Sequence, residues 1–353
     1  MVHMAGTEAQ LGLVLTGGTI GSNEVEGMLV VDLTQTSSER ELQLVRRSWT
    51  GPQKLNVLSR SPLRKFSEDM TPADWVTMAK CVRELVEVDE VRNVLMLHGT
   101  DTMGFSAAAL SFLLADLDAT VVLTGSNLPL EDASSDGPTN IRDALLASHA
   151  LPRGVYLSFA GTLGASSEVH LGTTVRKVRS QGRSYESPNH GPIAHVSMGA
   201  VKMLKSWSTT DAPRADEVIE GKVHAFTLFP GIDLEMVADG LITRKKRGVV
   251  VRLYPGITGP ELAVPDSLPH FIRRCVAADI AVVTCVERFA DSAIEYPSGN
   301  AMRRAGAIFA RDMIYETAYV KLCWAIAHAS YREEVEELFY TPVAGEIAMP
   351  VAV

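Results

Sequence analysis

Residues 91–114 impose the tightest geometric requirement on this chain. The apolar run Val91-Arg-Asn-Val-Leu-Met-Leu97 stops at His98-Gly-Thr-Asp-Thr-Met103, and the Ala/Leu-rich segment Gly104-Phe-Ser-Ala-Ala-Ala-Leu-Ser-Phe-Leu-Leu114 begins at once. The first run suits a buried strand and the second a helix. An imidazole, two hydroxyls and a carboxylate are therefore held between buried elements, where polar groups are costly to leave without partners. That cost marks the segment as a site rather than an ordinary connection.

The same punctuation recurs along the N-terminal half. Leu11-Gly-Leu-Val-Leu15 ends at Thr16-Gly-Gly-Thr19, Thr120-Val-Val-Leu-Thr-Gly125 ends in a polar loop from Ser126 to Asn140, and Gly154-Val-Tyr-Leu-Ser-Phe159 reads as another strand. Thr71-Pro-Ala-Asp74 opens a helix with a hydroxyl cap, a proline in the first turn and an acid three residues on. Trp75, Met78, Ala79, Val82, Leu85 and Val86 give that helix its apolar face. Further helices are predicted over 106–117 and 141–150. This rhythm predicts an α/β fold with a doubly wound, mostly parallel sheet, covered on both faces and joined by right-handed crossovers. Strand exits then gather at one edge, so Thr16–Thr19 and His98–Thr102 are expected to meet in space. Residues 21–36 show no clear period and read as a mobile loop.

A chain of 353 residues allows two domains. The polar stretch Ser208–Glu217 is the best linker, which predicts an N-terminal α/β catalytic domain over 1–207, a linker over 208–222 and a smaller C-terminal α/β domain over 223–353. In the second domain, strands are predicted at 223–229, 248–254 and 279–285, and helices near 233–243, 266–277 and 312–330. Phe229-Pro-Gly-Ile-Asp233 and Tyr254-Pro-Gly-Ile-Thr258 each end a strand, and the acidic segment 333–337 reads as a solvated helix face. The basic run Arg244-Lys-Lys-Arg247 suits a helix C-terminus or solvent.

A net charge of −9 argues against a broad nucleic-acid-binding surface. Cys81, Cys275, Cys285 and Cys323 lie far apart with no CxxC or Cys/His cluster, so free buried thiols are expected, with no metal and no cofactor. The N-terminal residues lack the apolar core of a signal peptide and no long apolar span occurs, which predicts a cytoplasmic protein without a membrane partner.

Thr16-Gly-Gly-Thr19-Ile-Gly21 by itself is a weak signal. Its spacing fits neither the dinucleotide fingerprint nor the phosphate loop with its lysine. Threonine flanked by glycine suits a hydroxyl nucleophile that a substrate approaches closely, with backbone N–H groups open to a developing oxyanion. Such a hydroxyl needs a base, and the sequence offers no Ser/His/Asp order. Lys177, in Val175-Arg-Lys-Val178, is a candidate. A lysine acts as a base near neutral pH only when its environment brings its pKa down from about 10.4.

Taken together, T-G-G-T-I-G at 16–21 and H-G-T-D-T-M at 98–103 resemble the two signatures of the L-asparaginase/glutaminase family. Supporting matches are Leu123-Thr-Gly-Ser126 with Ser134-Ser-Asp-Gly137, Ser187-Pro-Asn-His-Gly-Pro192, the Pro-Gly strand exits and Val320-Lys-Leu322. The Val-Arg-Lys177 segment is most similar to the tRNA-dependent amidotransferase D subunit, a relative within that family. The resemblance spans about Leu11 to Ala329.

It implies that Thr19 is the nucleophile, that Thr100, Lys177 and Asp101 form a Thr–Lys–Asp triad, and that Asp101 also holds the substrate's α-amino group. It further implies that Ser67, Glu68 and Gly99 bind substrate and that the protein is a homodimer or homotetramer. Three features depart from the family pattern. No tyrosine precedes Tyr156, so Met28 or Glu26 stands near the place of the lid tyrosine. The second-domain Gly-x-Gly-Asn motif appears as Pro255-Gly-Ile-Thr258, and the spacing from Gly161 to Lys177 is long, with His170 in between. The expected activity is hydrolysis of the side-chain amide of an asparagine-like small molecule. The alternatives are the same machinery turned to another amide in a dedicated pathway, or a catalytically silent binding protein that keeps the fold. tRNA-linked amidation is less favoured by an acidic chain.

Overall fold

The structure is a computed structural model that describes residues 8–26, 28–31, 35–205, 217–262, 266–288 and 296–347. The chain divides into two compact units, Met1–Glu217 and Val218–Val353. Most of the expected linker, residues 208–216, lies outside the described residues.

The larger unit begins with β1 (Glu8–Leu15), followed by the hairpin β2 (Ser22–Val25) and β3 (Met28–Val31), then α1 (Gln35–Ser48) and β4 (Lys54–Arg60). It continues with α2 (Pro72–Glu87), β5 (Asn93–Leu97), α3 (Met103–Leu113), β6 (Thr120–Thr124), α4 (Gly137–Ala150) and β7 (Gly154–Phe159). It ends with β8 (Ser167–Leu171), the short strands β9 (Arg176–Lys177) and β10 (Tyr185–Glu186), β11 (Ala194–Ser197) and β12 (Ala200–Met203). The main sheet has eight strands in the order β12-β11-β8-β7-β6-β5-β1-β4. Its β4-to-β7 part is parallel, and β8, β11 and β12 continue it antiparallel.

Within the segment read as a mobile loop, residues 22–25 and 28–31 form a hairpin that pairs Val25 with Met28, and α1 begins at Gln35, while residues 27 and 32–34 lie outside the described residues. Glu26 takes the positive φ of 52° that such a tight reversal requires. The hairpin strands span four residues each, too short to display a period in the sequence.

Alternation along β1 explains the two layers. Leu11, Leu13 and Leu15 join Leu95, Leu97, Val122 and Tyr156 in a core covered by α4 and α1. Gly12 faces the other way, against Leu85 of α2 and Val94. Helix α3 lies on that second face, with its Ala107 and Ser111 close to Gly172 and Val155. Helices therefore cover both faces. The steps β5–α3–β6 and β6–α4–β7 advance in one direction with their helices on opposite faces, so they have opposite hands. The crossovers through α1, α2 and α3 share one hand and α4 is the exception, which corrects the expectation of uniformly right-handed connections. Placing α4 beside α1 buries Ile141, Ala144, Leu145 and Ala147 in the first core, and that apolar contact outweighs the preferred handedness.

From β1 the chain steps outward to β4 and then returns across β1 to β5, so strand order reverses between β1 and β5. Crevices at such switch points, beyond the carboxyl ends of the strands, are where open α/β sheets bind ligands. The exits of β1 and β5 are the two signature loops.

The smaller unit contains β13 (Val223–Thr227), α5 (Leu234–Thr243), β14 (Gly248–Arg252), α6 (Leu268–Ala277), β15 (Ala281–Cys285), α7 (Pro297–Arg304), β16 (Ile308–Phe309), α8 (Tyr315–His328) and α9 (Arg332–Tyr340). Its four strands are parallel in sequence order around an apolar core that includes Leu234, Val249, Val251, Phe271 and Val282. Arg244 caps α5, as the basic run suggested. Lys321 of α8 is fully buried; it pairs with the buried Glu346 and donates to the Thr341 carbonyl at 2.5 Å, which ties the chain's last described turn to the core.

Two consequences are testable. A Cβ on Gly18, whose φ is 85°, would stand 2.3 Å from Gly99 Cα. Gly18→Ala should cost about 1–3 kcal/mol through backbone strain alone, seen as a lower urea midpoint. At the start of α2, Asp74 accepts from the Thr71 N–H (2.7 Å), the Thr71 hydroxyl (2.7 Å) and Lys65 (2.8 Å). Burial alone would raise the Asp74 pKa, but these hydrogen bonds outweigh it and hold it below the ordinary value. The stability it contributes is therefore present above the unfolded carboxylate pKa and is lost as pH falls through the folded one. Asp74→Asn should cost about 1 kcal/mol at neutral pH, and the difference from wild type should shrink when unfolding is repeated in acid.

Candidate active site

The corner after β1 is held by its neighbours' backbone. Thr16 donates to the Leu97 carbonyl through both its N–H (3.1 Å) and its hydroxyl (3.0 Å). Gly18 N–H donates to the Lys65 carbonyl and Lys65 N–H to the Thr16 carbonyl, each at 3.1 Å. Gly17 and Gly18 both have positive φ, 95° and 85°. A side chain on Gly17 would strike Lys65, and one on Gly18 would strike Gly99. The glycines are thus required by close approach on two sides, and they deliver Thr19 into a single 3₁₀ turn (Thr19–Gly21) next to the β5 exit.

The β5 exit is pinned in turn. Gly99 packs on Ser67, where a Cβ would come within 2.7 Å of the serine side chain. Ser67 is buried; its hydroxyl accepts from the Asp101 N–H (3.2 Å) and its carbonyl accepts from the Thr102 hydroxyl (2.7 Å). Three loops therefore pack against one another: residues 16–19, 98–102 and 65–69. Strand β4, which carries the third loop, was not read from the sequence. It is a half-exposed edge strand with little hydrophobic contrast along Lys54-Leu-Asn-Val-Leu-Ser-Arg60.

Lys177 arrives from a separate ribbon. Strands β9 and β10 pair Lys177 opposite Tyr185, and Val178 N–H donates to the Ser184 carbonyl at 2.8 Å. Residues directly opposite in an antiparallel pair project to one side. From that side Lys177 Nζ lies 2.7 Å from Thr100 Oγ1 and 2.6 Å from Asp101 Oδ1, and the Tyr185 hydroxyl donates to the Thr100 carbonyl at 2.5 Å. The ribbon is anchored at strand ends: Asn127, after β6, donates to the Gly161 carbonyl (3.3 Å), and Gly161 lies flat against Gly182. Asp136 and Asn140 brace the same region, Asp136 accepting from the Asn127 N–H (2.9 Å) and Asn140 donating to the Gly125 carbonyl (2.9 Å). Burial raises the Asp136 carboxyl against the pull of its donors.

The Lys177 side chain is 15% exposed and that of Asp101 63%. An ion pair this open contributes about 0–1 kcal/mol to stability, so stability alone does not account for a lysine held on a threonine hydroxyl. His98 behaves differently. It is fully buried, its Nδ1 hydrogen-bonds to the Gly99 carbonyl at 2.7 Å, and burial pushes its pKa down to about 4. It is neutral near pH 7 and shapes the loop instead of exchanging protons. His170 also stays out of the cluster: its Nδ1 meets the Ser187 hydroxyl at 2.9 Å, and burial lowers its pKa.

Of the residues singled out from the sequence, Gly99, Thr100, Asp101, Lys177 and Ser67 are joined by direct contacts, and Thr19 follows the glycine seated on Gly99. Glu68 sits in the adjoining turn (Ser67–Asp69) with its side chain exposed. Tyr185 was missed. A single aromatic eight residues beyond Lys177 carries no signal until the ribbon is paired. Among the described residues, no group of three or more His, Cys, Asp or Glu is placed to hold a metal, and no helix is long and apolar enough to cross a membrane.

Known proteins resemble this chain over most of its length. The chain is 33% identical over 302 residues to the D subunit of the glutamyl-tRNA(Gln) amidotransferase of Pyrococcus abyssi, covering 83% of this chain and 67% of that protein. It is 31% identical over 336 residues to the L-asparaginase of Thermococcus kodakarensis, covering 94% and 97%. The solved thermostable L-asparaginase from Thermococcus kodakarensis superposes with a TM-score of 0.83 at 29% identity, covering 97% of this chain and all of that one. Residues 10–209 match the family described as Asparaginase, N-terminal, and residues 222–339 the Glutaminase/Asparaginase C-terminal domain. With both of its units matched in order, the chain belongs to the asparaginase family.

Proposed function

We propose that this chain hydrolyses the side-chain carboxamide of L-asparagine or an asparagine-like substrate to a carboxylate and ammonia, through an ester on Thr19. The reading is carried by one observation: Lys177 Nζ sits 2.7 Å from the Thr100 hydroxyl and 2.6 Å from Asp101, beside the glycine corner that bears Thr19. A threonine hydroxyl attacks a carboxamide only when a base takes its proton. In the first half-reaction the Thr19 oxygen bonds to the carboxamide carbon, the C–N bond breaks, and nitrogen leaves as ammonia with a proton passed through the Thr100–Lys177 pair. In the second, water adds to the ester carbonyl and gives a proton to the same pair; the bond from carbonyl carbon to Thr19 breaks and the hydroxyl recovers its proton. Backbone N–H groups near Thr19 and Thr100 supply oxyanion stabilisation.

Ser67, Glu68, Gly99 and Asp101 hold the amino-acid end of the substrate in this reading. Asp101 uses Oδ1 on Lys177 and keeps most of its side chain exposed, so its carboxylate can serve a substrate amine as well. The L-asparaginase name of the Thermococcus relative supports the substrate class. Four free thiols suit a reducing, cytoplasmic setting. The family's habit of building sites at subunit contacts supports a homodimer or homotetramer.

A second reading keeps the chemistry and changes the amide. It is favoured by the hairpin over residues 22–31, which carries no phenol to meet the nucleophile. Ammonia release measured across L-asparagine, L-glutamine and modified amides separates the two. Ordinary saturation and full turnover with L-asparagine would end the specialised version.

Hydroxylamine added during turnover should capture the acyl group as a hydroxamate. Thr19→Ala should abolish both hydroxamate and ammonia while the protein still folds, and hydroxamate formed by that variant would sink the ester mechanism. Lys177→Met should slow turnover by about 10²–10⁴-fold. A change smaller than about tenfold would remove Lys177 from proton transfer.

A further inference from the structure

The peptide bond between Thr100 and Asp101 links the two groups that Lys177 grips, and both of its polar ends are held by buried side-chain hydroxyls. On one side Ser67 Oγ accepts its N–H at 3.2 Å, and on the other the Tyr185 hydroxyl donates to its carbonyl at 2.5 Å. Tyr185 is itself rigidly seated. It is almost fully buried, stacks edge-on against Phe159 with ring centroids 5.0 Å apart, and stands across the ribbon from Lys177.

We propose that Tyr185 is a positioning residue: its hydroxyl clamps the Thr100 carbonyl, fixing the peptide plane that sets the Thr100 hydroxyl and the Asp101 carboxylate against Lys177. The need for such a clamp follows from exposure. The Asp101 side chain is 63% exposed and cannot be immobilised by packing, so its placement depends on the backbone that carries it. A peptide held at only one end can rotate about the remaining hydrogen bond, and catalytic groups lose effectiveness steeply with small displacements. Because Tyr185 and Lys177 are cross-strand neighbours, one ribbon contacts both the carbonyl and the hydroxyl of the same threonine. Burial raises the tyrosine's pKa well above its ordinary value, so the phenol stays a donor across the working range.

This inference rests on the proposed amide hydrolysis, and the experiment separates their failures. Position 185 is replaced in the full-length chain by Phe, by 4-fluorophenylalanine, which fills the hydroxyl's space without a proton to donate, and by 4-aminophenylalanine, which restores a donor. Each variant is assayed for kcat and KM by ammonia release, and hydrogen exchange is followed over residues 98–103. Phe and 4-fluorophenylalanine should lower kcat on the order of tenfold to a hundredfold, leave KM within about twofold, and speed exchange at 98–103. The 4-amino variant should recover most of the kcat.

Full recovery with 4-fluorophenylalanine would reduce Tyr185 to a space-filler and overturn the proposal, as would an unchanged kcat in both variants that lack the donor. Should the Phe variant not fold, the isosteric fluoro and amino pair decides alone. If wild type releases ammonia from no carboxamide, the functional reading falls, and hydrogen exchange alone judges the clamp: unchanged protection at 98–103 in the fluoro variant would refute it.

Discussion

The contact of Gly18 on Gly99 is the constraint on which the rest of the larger unit depends. Two strand exits approach so closely that a Cβ on Gly18 would overlap the backbone of the other loop. That approach exists only because β1 and β5 are neighbours at the point where strand order reverses. A helix cannot fill the space between such exits, so their backbone groups face a crevice. Once the glycines allow contact, Thr19 and Thr100 are each one residue from it, and the nucleophile candidate and the triad candidate share a single backbone junction. Gly99 on Ser67 extends the same stacking to the β4 exit.

Around this junction the polar groups differ in depth and in partners. The deepest, Thr16, His98 through Nδ1 and Ser67 through its hydroxyl, make hydrogen bonds to backbone and act as scaffold. Tyr185 reaches from the ribbon to the outer edge of the same backbone. Lys177 and Asp101 meet farther out, where Asp101 remains open to solvent. An ion pair fully inside would pay a desolvation cost that its attraction seldom recovers; one at the surface would be too mobile to hold a hydroxyl. The half-open position at the strand ends keeps the lysine ordered and the carboxylate available.

Much of the scaffold was legible from local pattern. The strands β1, β5, β6 and β7 are apolar runs cut by glycine or threonine, and α2 announces itself through Thr71, Pro72 and Asp74. Those signals are local because burial on both faces demands continuous apolar residues. Elements with weaker demands were not legible. Strand β4 is half exposed, the hairpin at 22–31 is too short to show a period, and the strands β9 and β10 are two residues long. The hand of the crossover through α4 was misread, because it is decided by which core α4 completes and not by the residues of the connection.

By itself the sequence determined the chemical inventory and its approximate address: threonines beside glycines at strand ends, an acid next to one of them, and a lysine far along the chain. Those follow from residue type, since glycine alone tolerates the close approach and the proposed ester needs a hydroxyl. Tertiary structure decided how Lys177 arrives. The pairing of β9 with β10 puts Lys177 on Thr100, while His170, in the stretch before it, turns to Ser187. It also brought in Tyr185, whose hydroxyl has meaning only opposite Lys177 and above the Thr100 carbonyl. Both results depend on contacts between residues more than seventy positions apart, as in the separation of 77 between Lys177 and Thr100, and no local pattern encodes a distance of that kind.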